Sequence, residues 1–263
     1  DCETNAELAE KYLRDSDASP MAVLTDKANE QHYEVPAKFY QLVLGKNLKY
    51  SSCFFEKRVR DLSKAEDRSL QLTCEHAGLD DGQKILELGC GWGSLSLWMA
   101  KKFPASRITS VSNSHSQRKH IERQARERGL ENLEVITEDV NAFETDERFD
   151  RVVSVEMFEH VRNHRELFRR IHSWLKPEGK LFTHVFCHRS TSYPFEVEGE
   201  EDWMSKHFFS GGTMPADELF LRISGKLELE TRWRWSGKHY AKTSECWLDN
   251  LDGNREEVLR LFG

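Results

Sequence analysis

The sequence predicts an α/β fold in which a mostly parallel sheet carries helices on both faces. Short apolar runs alternate with stretches of helical periodicity through the middle of the chain, and polar or glycine-containing turns separate them. A parallel strand pair needs a crossover connection, so this alternation is typical of repeated βαβ units. The candidate strands are 84–88, 107–112, 133–137, 149–155 and 180–187, and the candidate helices are 93–103, 116–128 and 162–175.

Helical segments precede the first strand. Residues 6–13 and 38–44 have helical spacing, and apolar residues on related faces continue the pattern over 57–79. We therefore expect a helical cap over 1–79 and a core domain over 80–263.

The last third of the chain departs from this alternation. Residues 188–215 are first acidic, then aromatic, and end in a turn that contains glycine and proline. An insertion after the fifth strand would lie over the carboxyl edge of the sheet, where ligands bind, so we predict a lid over about 188–222. Residues 176–179 predict a turn before the fifth strand, and 227–235 predict a closing antiparallel strand at the sheet edge.

The composition is that of a globular protein with a polar surface. The formal net charge is -7, whereas a nucleic-acid-binding surface would be basic, so we expect no nucleic-acid partner. No apolar stretch approaches a membrane span and no signal-peptide pattern opens the chain, which predicts a cytoplasmic protein that does not act at a membrane. The six cysteines have neither C-x-x-C nor zinc spacing, so they predict reduced thiols and no metal site.

The clearest ligand-binding signal is the stretch 85–93. An apolar strand is followed by three glycines at alternate positions and then by a helical pattern. Glycines let the backbone pass close to a ligand, and a helix N-terminus offers free N–H groups. The dinucleotide fingerprint G-x-G-x-x-G is not met. The spacing E-x-G-x-G-x-G instead resembles motif I of the S-adenosylmethionine (SAM) methyltransferases, and a generic strand–turn–helix of another α/β domain is the alternative.

Polar residues follow the second and third candidate strands. Ser112, Asn113 and Gln117 offer hydroxyl and amide groups that can form paired hydrogen bonds with the ribose of a nucleoside. Asp139 is a candidate partner for an adenine amino group. Helix capping by Ser114 competes with the first interpretation, and capping of the next turn is equally consistent with Asp139.

The strongest catalytic candidates follow the fourth candidate strand. If a helical turn begins at Glu156, then Glu159 and His160 lie one turn further on the same face. Clusters of ionisable groups at a strand end mark functional sites, because they are costly unless solvated or paired. The two carboxylates would hold a cationic amine and the imidazole would remove its proton, as methyl transfer to nitrogen requires. The alternative is a helix cap in which Glu159 favours the dipole.

Several stretches together carry a resemblance to a known family. They are 31–36 (QHYEVP), 47–51 (NLKYS), 89–93 (GCGWG), 154–160 (SVEMFEH), 184–188 (HVFCH), 208–215 (FFSGGTMP) and 237–240 (GKHY). The chain resembles the coclaurine N-methyltransferase group of alkaloid enzymes, within the cyclopropane fatty-acid synthase-like superfamily, over nearly its whole length. The resemblance implies a class I SAM-methyltransferase fold, which is Rossmann-like and has a seven-stranded sheet.

The resemblance also implies positions for the functional residues. It implies that Glu156, Glu159 and His160 bind and deprotonate the amine. It implies a substrate pocket that includes Tyr33, Glu34 and Phe209. The lipid synthases resemble this chain in Glu159 and His184, which are part of their bicarbonate site, and we expect His184 to contact the substrate here. It implies SAM contacts at Tyr50, Ser51, Gly89, Gly91, Ser112, Gln117 and Asp139, to which we add the neighbouring Glu87, Asn113, Val140 and Val155 as expected members of the cofactor site.

The expected function is therefore SAM-dependent N-methylation of a small-molecule amine, and the expected amine is an isoquinoline-type alkaloid. The alternative inside the superfamily is methylation or cyclopropanation of lipid, and a non-enzymatic nucleoside-binding module is a third hypothesis. Two departures count against the lipid alternative: Ser52 stands where the synthases have a pocket cysteine, and Glu156 stands where many of them have a small residue. The alkaloid enzymes continue beyond Gly263 with further helical sequence. A homodimer is an option that the sequence leaves open.

Overall fold

The computed structural model describes residues 2–23, 35–196, 205 and 209–263. Its helices are α1 Cys2–Asp17, α2 Ala37–Val43, α3 Leu62–His76, α4 Ser94–Lys102, α5 His115–Glu127, α6 His164–Trp174, α7 Leu219–Ile223, α8 Lys238–Gly253 and α9 Arg255–Phe262. Its strands are β1 Lys84–Leu88, β2 Arg107–Ser112, β3 Leu133–Thr137, β4 Phe149–Val155, β5 Leu175–His184, β6 Tyr193–Pro194 and β7 Thr213–Met214.

The chain divides into two compact units. One combines Val35–Thr137 with Trp233–Gly263, and we call it the glycine-turn unit. The other combines Asp1–Glu34 with Glu138–Arg232, and we call it the acidic unit.

The glycine-turn unit contains the parallel strands β1, β2 and β3, with β2 in the middle. Four successive residues of β1, from Ile85 to Leu88, are buried. Burial of adjacent residues means that both faces of the strand are covered, as expected for a parallel sheet with helices on each side. Two of the helices begin at side-chain caps: Asp61 accepts from the Lys64 N–H at the start of α3, and Ser114 accepts from the Gln117 N–H at the start of α5.

The acidic unit contains the parallel pair β4 and β5, the helices α1, α6 and α7, and a short 3-10 turn over Phe158–His160. The strand β4 is buried at Val152, Val153 and Ser154. The two-residue strands β6 and β7 form an antiparallel ribbon within the predicted lid. Part of that lid, 197–204 and 206–208, lies outside the described residues.

The α/β class and the parallel strands are confirmed. The bounds of β1 to β4 agree with the prediction, and the three predicted helices differ from α4, α5 and α6 by one or two residues at their ends. No helix in the described part of the chain is long and apolar enough to cross a membrane.

The predicted turn over 176–179 is wrong, because these residues lie inside β5. Leu175 pairs with Phe149 and Lys180 pairs with Arg151, so the register is irregular where the chain contains proline and glycine. A Cβ on Gly179 would lie 2.9 Å from the Phe149 carbonyl oxygen, so the close approach of the two strands needs glycine there.

The predicted closing strand over 227–235 is also wrong. The structure has no strand in this segment, and Leu229 and Trp233 are 59% and 45% exposed. The Trp233 ring stacks on His76 at 4.0 Å between centroids, so ring stacking replaces a strand ladder at this point. The described residues hold five strands of five or more residues, which are β1 to β5. The resemblance implies a sheet of seven strands, and the two-residue strands β6 and β7 form a separate ribbon rather than its last two members.

Candidate functional site

The glycine turn follows β1 and is tied to β2 by hydrogen bonds. The N–H groups of Gly89 and Cys90 both donate to the Val111 carbonyl oxygen, at 3.0 and 3.1 Å. Gly91 and Gly93 have φ values of 52° and 81°. A Cβ on Gly93 would lie 2.5 Å from Ile121, whereas a Cβ on Gly91 would have nothing within 4 Å. Gly93 therefore serves packing, and Gly91 leaves the backbone open to a ligand.

Glu87, a predicted cofactor contact, lies in the interior of the glycine-turn unit. Its Oε2 accepts hydrogen bonds from the Ser96 and Ser110 hydroxyls, which joins β1 to α4 and β2. Burial raises the pKa of the Glu87 carboxyl to about 7, and the two serine hydrogen bonds oppose that rise. The visible contacts of Glu87 are thus structural, and contact with a cofactor stays a prediction.

The end of β2 offers a buried donor without a partner. The Ser112 hydroxyl donates to Gln117 Oε1 at 2.6 Å, while Gln117 Nε2 is buried and makes no hydrogen bond within the described residues. Buried polar groups are normally satisfied, so this amide is suited to an oxygen of a bound ligand. SAM has ribose and carboxylate oxygens, and the open backbone at Gly91 leaves room for such a ligand. Asn113, half-buried, lies between Ser112 and the Ser114 cap.

Tyr50 and Ser51 belong to the same unit. The Tyr50 ring packs at 5.1 Å from Tyr40 and at 5.6 Å from Trp247, measured between centroids. Burial raises the pKa of Tyr50 to about 12, so its phenol stays neutral and can donate. Ser51 is buried and its hydroxyl accepts a hydrogen bond from Lys49.

The remaining predicted cofactor residues lie in the acidic unit. Asp139 Oδ1 accepts from the Asn141 N–H at 2.7 Å, so the capping interpretation of this residue has a visible contact. Val140 is half-buried, and Val155 ends β4, where it pairs with His184. A cofactor role for these three residues stays a prediction.

Glu156, Glu159 and His160 form what we call the acidic cluster, and it begins with a strained backbone. Glu156 has φ of 50°, a left-handed conformation that costs a non-glycine residue about 1–3 kcal/mol. Its N–H donates to the His184 carbonyl oxygen at 2.7 Å, and its Oε1 lies 4.0 Å from His184 Nδ1. The helical turn begins at Phe158, so the expectation that it begins at Glu156 is wrong. The left-handed backbone turns the chain before the helical geometry starts.

Glu159 is fully buried in the 3-10 turn. Its Oε1 accepts from the Phe186 N–H at 2.8 Å, and its Oε2 has no hydrogen-bond partner within the described residues. Burial, and then the charge of Glu156, hold the pKa of Glu159 well above its usual range. Burial and the nearness of Glu156 therefore disfavour the charged form of Glu159.

Aromatic rings line the other side of this cluster. The His160 ring lies 4.3 Å from the Phe209 ring, and Phe209 contacts Phe186 and Phe195 at 5.7 and 5.4 Å between centroids. Phe209 is buried and occupies the space that a side chain on Gly212 would need, since a Cβ there would lie 2.0 Å from the ring. Aromatic faces attract cations.

The structure places Glu156 beside His184 and His160 against Phe209, and the charges of Glu156 and Glu159 interact. Tyr33 and Glu34, the other predicted substrate contacts, lie outside the described residues. Sequence reasoning did not single out Phe186, Phe195 or Gly212, although the aromatic and glycine content of the lid was visible. The described residues contain no group of three His, Cys, Asp or Glu side chains that could hold a metal ion.

Comparison with known proteins gives the family. A family model described as mycolic acid cyclopropane synthetase matches residues 24–263. The chain is 38% identical to (S)-coclaurine N-methyltransferase of Thalictrum flavum subsp. glaucum over 244 residues, which cover 92% of this chain and 68% of that protein. This chain belongs to the coclaurine N-methyltransferase group of that family.

The structure of this SAM-dependent N-methyltransferase agrees with that assignment. A crystal structure of coclaurine N-methyltransferase bound to N-methylheliamine and S-adenosylhomocysteine (SAH) superposes with a TM-score of 0.93 at 35% identity, covering 97% of this chain and 74% of that one. The cyclopropane-fatty-acyl-phospholipid synthase of Escherichia coli K12 is 29% identical over 243 residues, 89% of this chain and 60% of the synthase. The chain is thus more similar to the amine enzyme than to the lipid enzyme.

Proposed function

We propose that this protein transfers the methyl group of SAM to the nitrogen of a small isoquinoline-type amine. The observation that carries the proposal is the acidic cluster, in which Glu159 is fully buried, Glu156 and His160 are half-buried, and the His160 ring packs against Phe209. Likeness to coclaurine N-methyltransferase supports the same substrate class. Lipid cyclopropanation is the alternative that the test below must distinguish.

The cofactor supplies a methyl group bound to a sulfonium, which is electrophilic without further activation. In the proposal this chain's own residues hold the cofactor. Gly89 is exposed, Gly91 has open space above its Cα, and Gln117 supplies an amide donor that has no partner among the described residues. Other proposed contacts are Tyr50, Ser51, Glu87, Ser112, Asn113, Asp139, Val140 and Val155.

The acidic cluster would then prepare the amine. An ammonium has no lone pair, so a neutral His160 imidazole accepts the proton before nitrogen can attack. The negative charge of the Glu156 and Glu159 carboxyl groups attracts the cationic form of the substrate and of the product. Protonated Glu159 can donate from Oε2, which has no protein partner among the described residues. Phe209 would present an aromatic face to the cation.

We propose Tyr33, Glu34 and His184 as further substrate contacts. We also propose a helical cap over 1–79 and a catalytic core over 80–263, a cytoplasmic setting and a homodimer, with no nucleic-acid or membrane partner. Size-exclusion chromatography with light scattering tests the dimer.

A product screen tests the function. The protein is incubated with SAM and a panel of secondary and tertiary isoquinoline amines, simple alkylamines, and vesicles of cis-unsaturated phospholipid. Mass spectrometry is expected to detect methylated isoquinoline amines and unchanged lipid. Modified lipid with no methylated amine would contradict the proposal and favour the cyclopropane-type alternative. Binding of SAH with no product from any arm would favour a non-enzymatic module.

A further inference from the structure

Lys49 is a buried cation next to a residue of the proposed cofactor site. It is 2% exposed, and its Nζ donates to the Ser51 hydroxyl oxygen and to the Ser52 carbonyl oxygen, each at 2.6 Å. An ammonium has three donors, so one N–H has no protein partner among the described residues. Among the described residues no carboxylate oxygen lies within 4.0 Å of Nζ, and the buried Glu66 carboxyl of α3 interacts with this ammonium over a longer distance. A buried ammonium that lacks an ion-pair partner and a third hydrogen-bond acceptor favours the binding of an anionic ligand.

The backbone around Lys49 is fixed by Glu66 of α3. The Glu66 carboxylate accepts from the Asn47 N–H at 2.7 Å and from the Lys49 N–H at 3.1 Å. A Cβ on Gly45 would lie 2.6 Å from the carboxyl carbon, so the loop passes close against this group. Leu48 has φ of 53°, a left-handed conformation that persists only where the surroundings impose it. The position of Lys49 is therefore imposed by the loop.

The contact with Lys49 also determines the hydrogen-bonding role of the Ser51 hydroxyl. Because the Ser51 oxygen accepts from an ammonium, its own O–H is left to donate. The third N–H of Lys49 and the O–H of Ser51 are both donors that lack a described acceptor. SAM carries a cationic sulfonium, a cationic ammonium and an anionic carboxylate. A buried ammonium repels the first two groups and attracts the third.

We infer that Lys49 is a positioning residue that, through Ser51, selects the carboxylate of the amino-acid part of SAM. The inference rests on the proposed function, because Ser51 is a cofactor contact only within it. It predicts that removing the Lys49 charge weakens ligands that carry this carboxylate and spares those that lack it.

Calorimetric titration with two ligands tests the inference. The probes are SAH and its decarboxylated analogue S-adenosyl-3-thiopropylamine, which keeps the adenosine, the thioether and the amine. Lys49→Met is expected to weaken SAH binding by about tenfold and to leave the analogue within about twofold. The control is Lys46→Met, since Lys46 is an exposed lysine of the same loop whose Nζ lies 2.5 Å from Asp67 Oδ2. It should change neither affinity. In turnover, Lys49→Met should raise KM for SAM and leave kcat nearly unchanged.

Several results would overturn the inference. If Lys49→Met loses affinity for both ligands equally, Lys49 is a structural residue only. If it loses affinity for neither ligand, Lys49 has no role in cofactor binding. If circular dichroism shows that Lys49→Met is unfolded, Ser51→Ala decides, because the contacts of Glu66 remain and the same selective loss of SAH is expected. If Ser51→Ala instead changes the affinities for SAH and for the analogue by the same factor, the inference is contradicted. Failure of the wild-type protein to bind either probe would contradict the proposed function itself.

Discussion

The glycine turn and the acidic cluster both follow a buried parallel strand, yet they differ in backbone strain and in how well their buried carboxyl groups are hydrogen-bonded. In the turn, the left-handed positions are glycines and the buried Glu87 is satisfied by two serine hydroxyls. In the cluster, a glutamate occupies the left-handed position and Glu159 has a buried oxygen without a described partner. Strain and unsatisfied groups persist where function requires them. The turn is therefore a stable scaffold, and the strain in the cluster supports the proposal that its residues take part in the chemistry.

The first prediction separates the two regions by their effect on turnover. Replacing Glu156 with Gln and His160 with Ala together removes the Glu156 carboxyl group and the proposed base, so turnover should fall by about a thousandfold. Affinity for SAH, measured by calorimetry, should stay within about twofold of the wild type.

The matched control is Glu178→Gln with His172→Ala, which changes an exposed acid and an exposed histidine of the same unit. It should leave turnover unchanged. If the Glu156/His160 variant keeps wild-type turnover, the chemical role assigned to the cluster is lost.

The second prediction contrasts two glycines of the turn. Gly93→Ala would place a Cβ 2.5 Å from Ile121 at a left-handed position, so the free energy of unfolding in urea should fall by about 3 kcal/mol. Gly91→Ala has open space and should lose only about 1 kcal/mol of stability, while SAH affinity falls more than about tenfold. Equal stability losses in the two variants would remove the distinction between packing and ligand access.

The third prediction concerns the pH dependence of stability. The pKa of Glu87 is raised from 4.5 to about 7, so the folded state binds its proton more tightly than the unfolded state. The resulting stabilisation is complete below pH 4.5 and is lost as pH rises through 7. Between pH 5 and pH 8 the wild type should lose about 2 kcal/mol more than Glu87→Gln, measured by urea unfolding. Parallel pH profiles for the two proteins would show that Glu87 does not titrate in this way.

The fourth prediction concerns the aromatic side of the cluster and has the smallest effect. Phe209→Leu removes a ring face, so KM for the amine should rise about fivefold while SAH affinity is unchanged. Phe195→Leu, which changes a neighbouring ring that contacts Phe209 and not His160 in the described contacts, should have a weaker effect. An unchanged KM in Phe209→Leu would exclude the ring from amine binding.

The sequence predicted the regular elements well because local periodicity determines them. The strands β1 to β4 have the predicted bounds. Prediction was wrong at 176–179, where proline and glycine mark an irregular strand rather than a turn, and at 227–235, where the predicted closing strand does not form. Both outcomes depend on which strand lies alongside, and that information is not local.

The chemistry of the site was predicted only in outline. The residue types of the cluster were readable from 154–160, but the left-handed backbone of Glu156 has no sequence signal, because glycine is absent there. The charge state of Glu159 depends on complete burial and on the neighbouring carboxyl group, which only the folded chain provides. The burial of Lys49 was not predicted, because a lone lysine in a loop is normally a solvated surface residue.

The most direct test of amine methylation counts the deuterium atoms that reach the product. The protein is supplied with SAM whose methyl group carries three deuterium atoms, together with an isoquinoline amine and unsaturated phospholipid vesicles. Transfer to nitrogen keeps all three deuterium atoms, and cyclopropane formation across a double bond keeps two. We predict an amine product with three deuterium atoms and unlabelled lipid. A lipid product with two deuterium atoms, and no labelled amine, would contradict the proposed function.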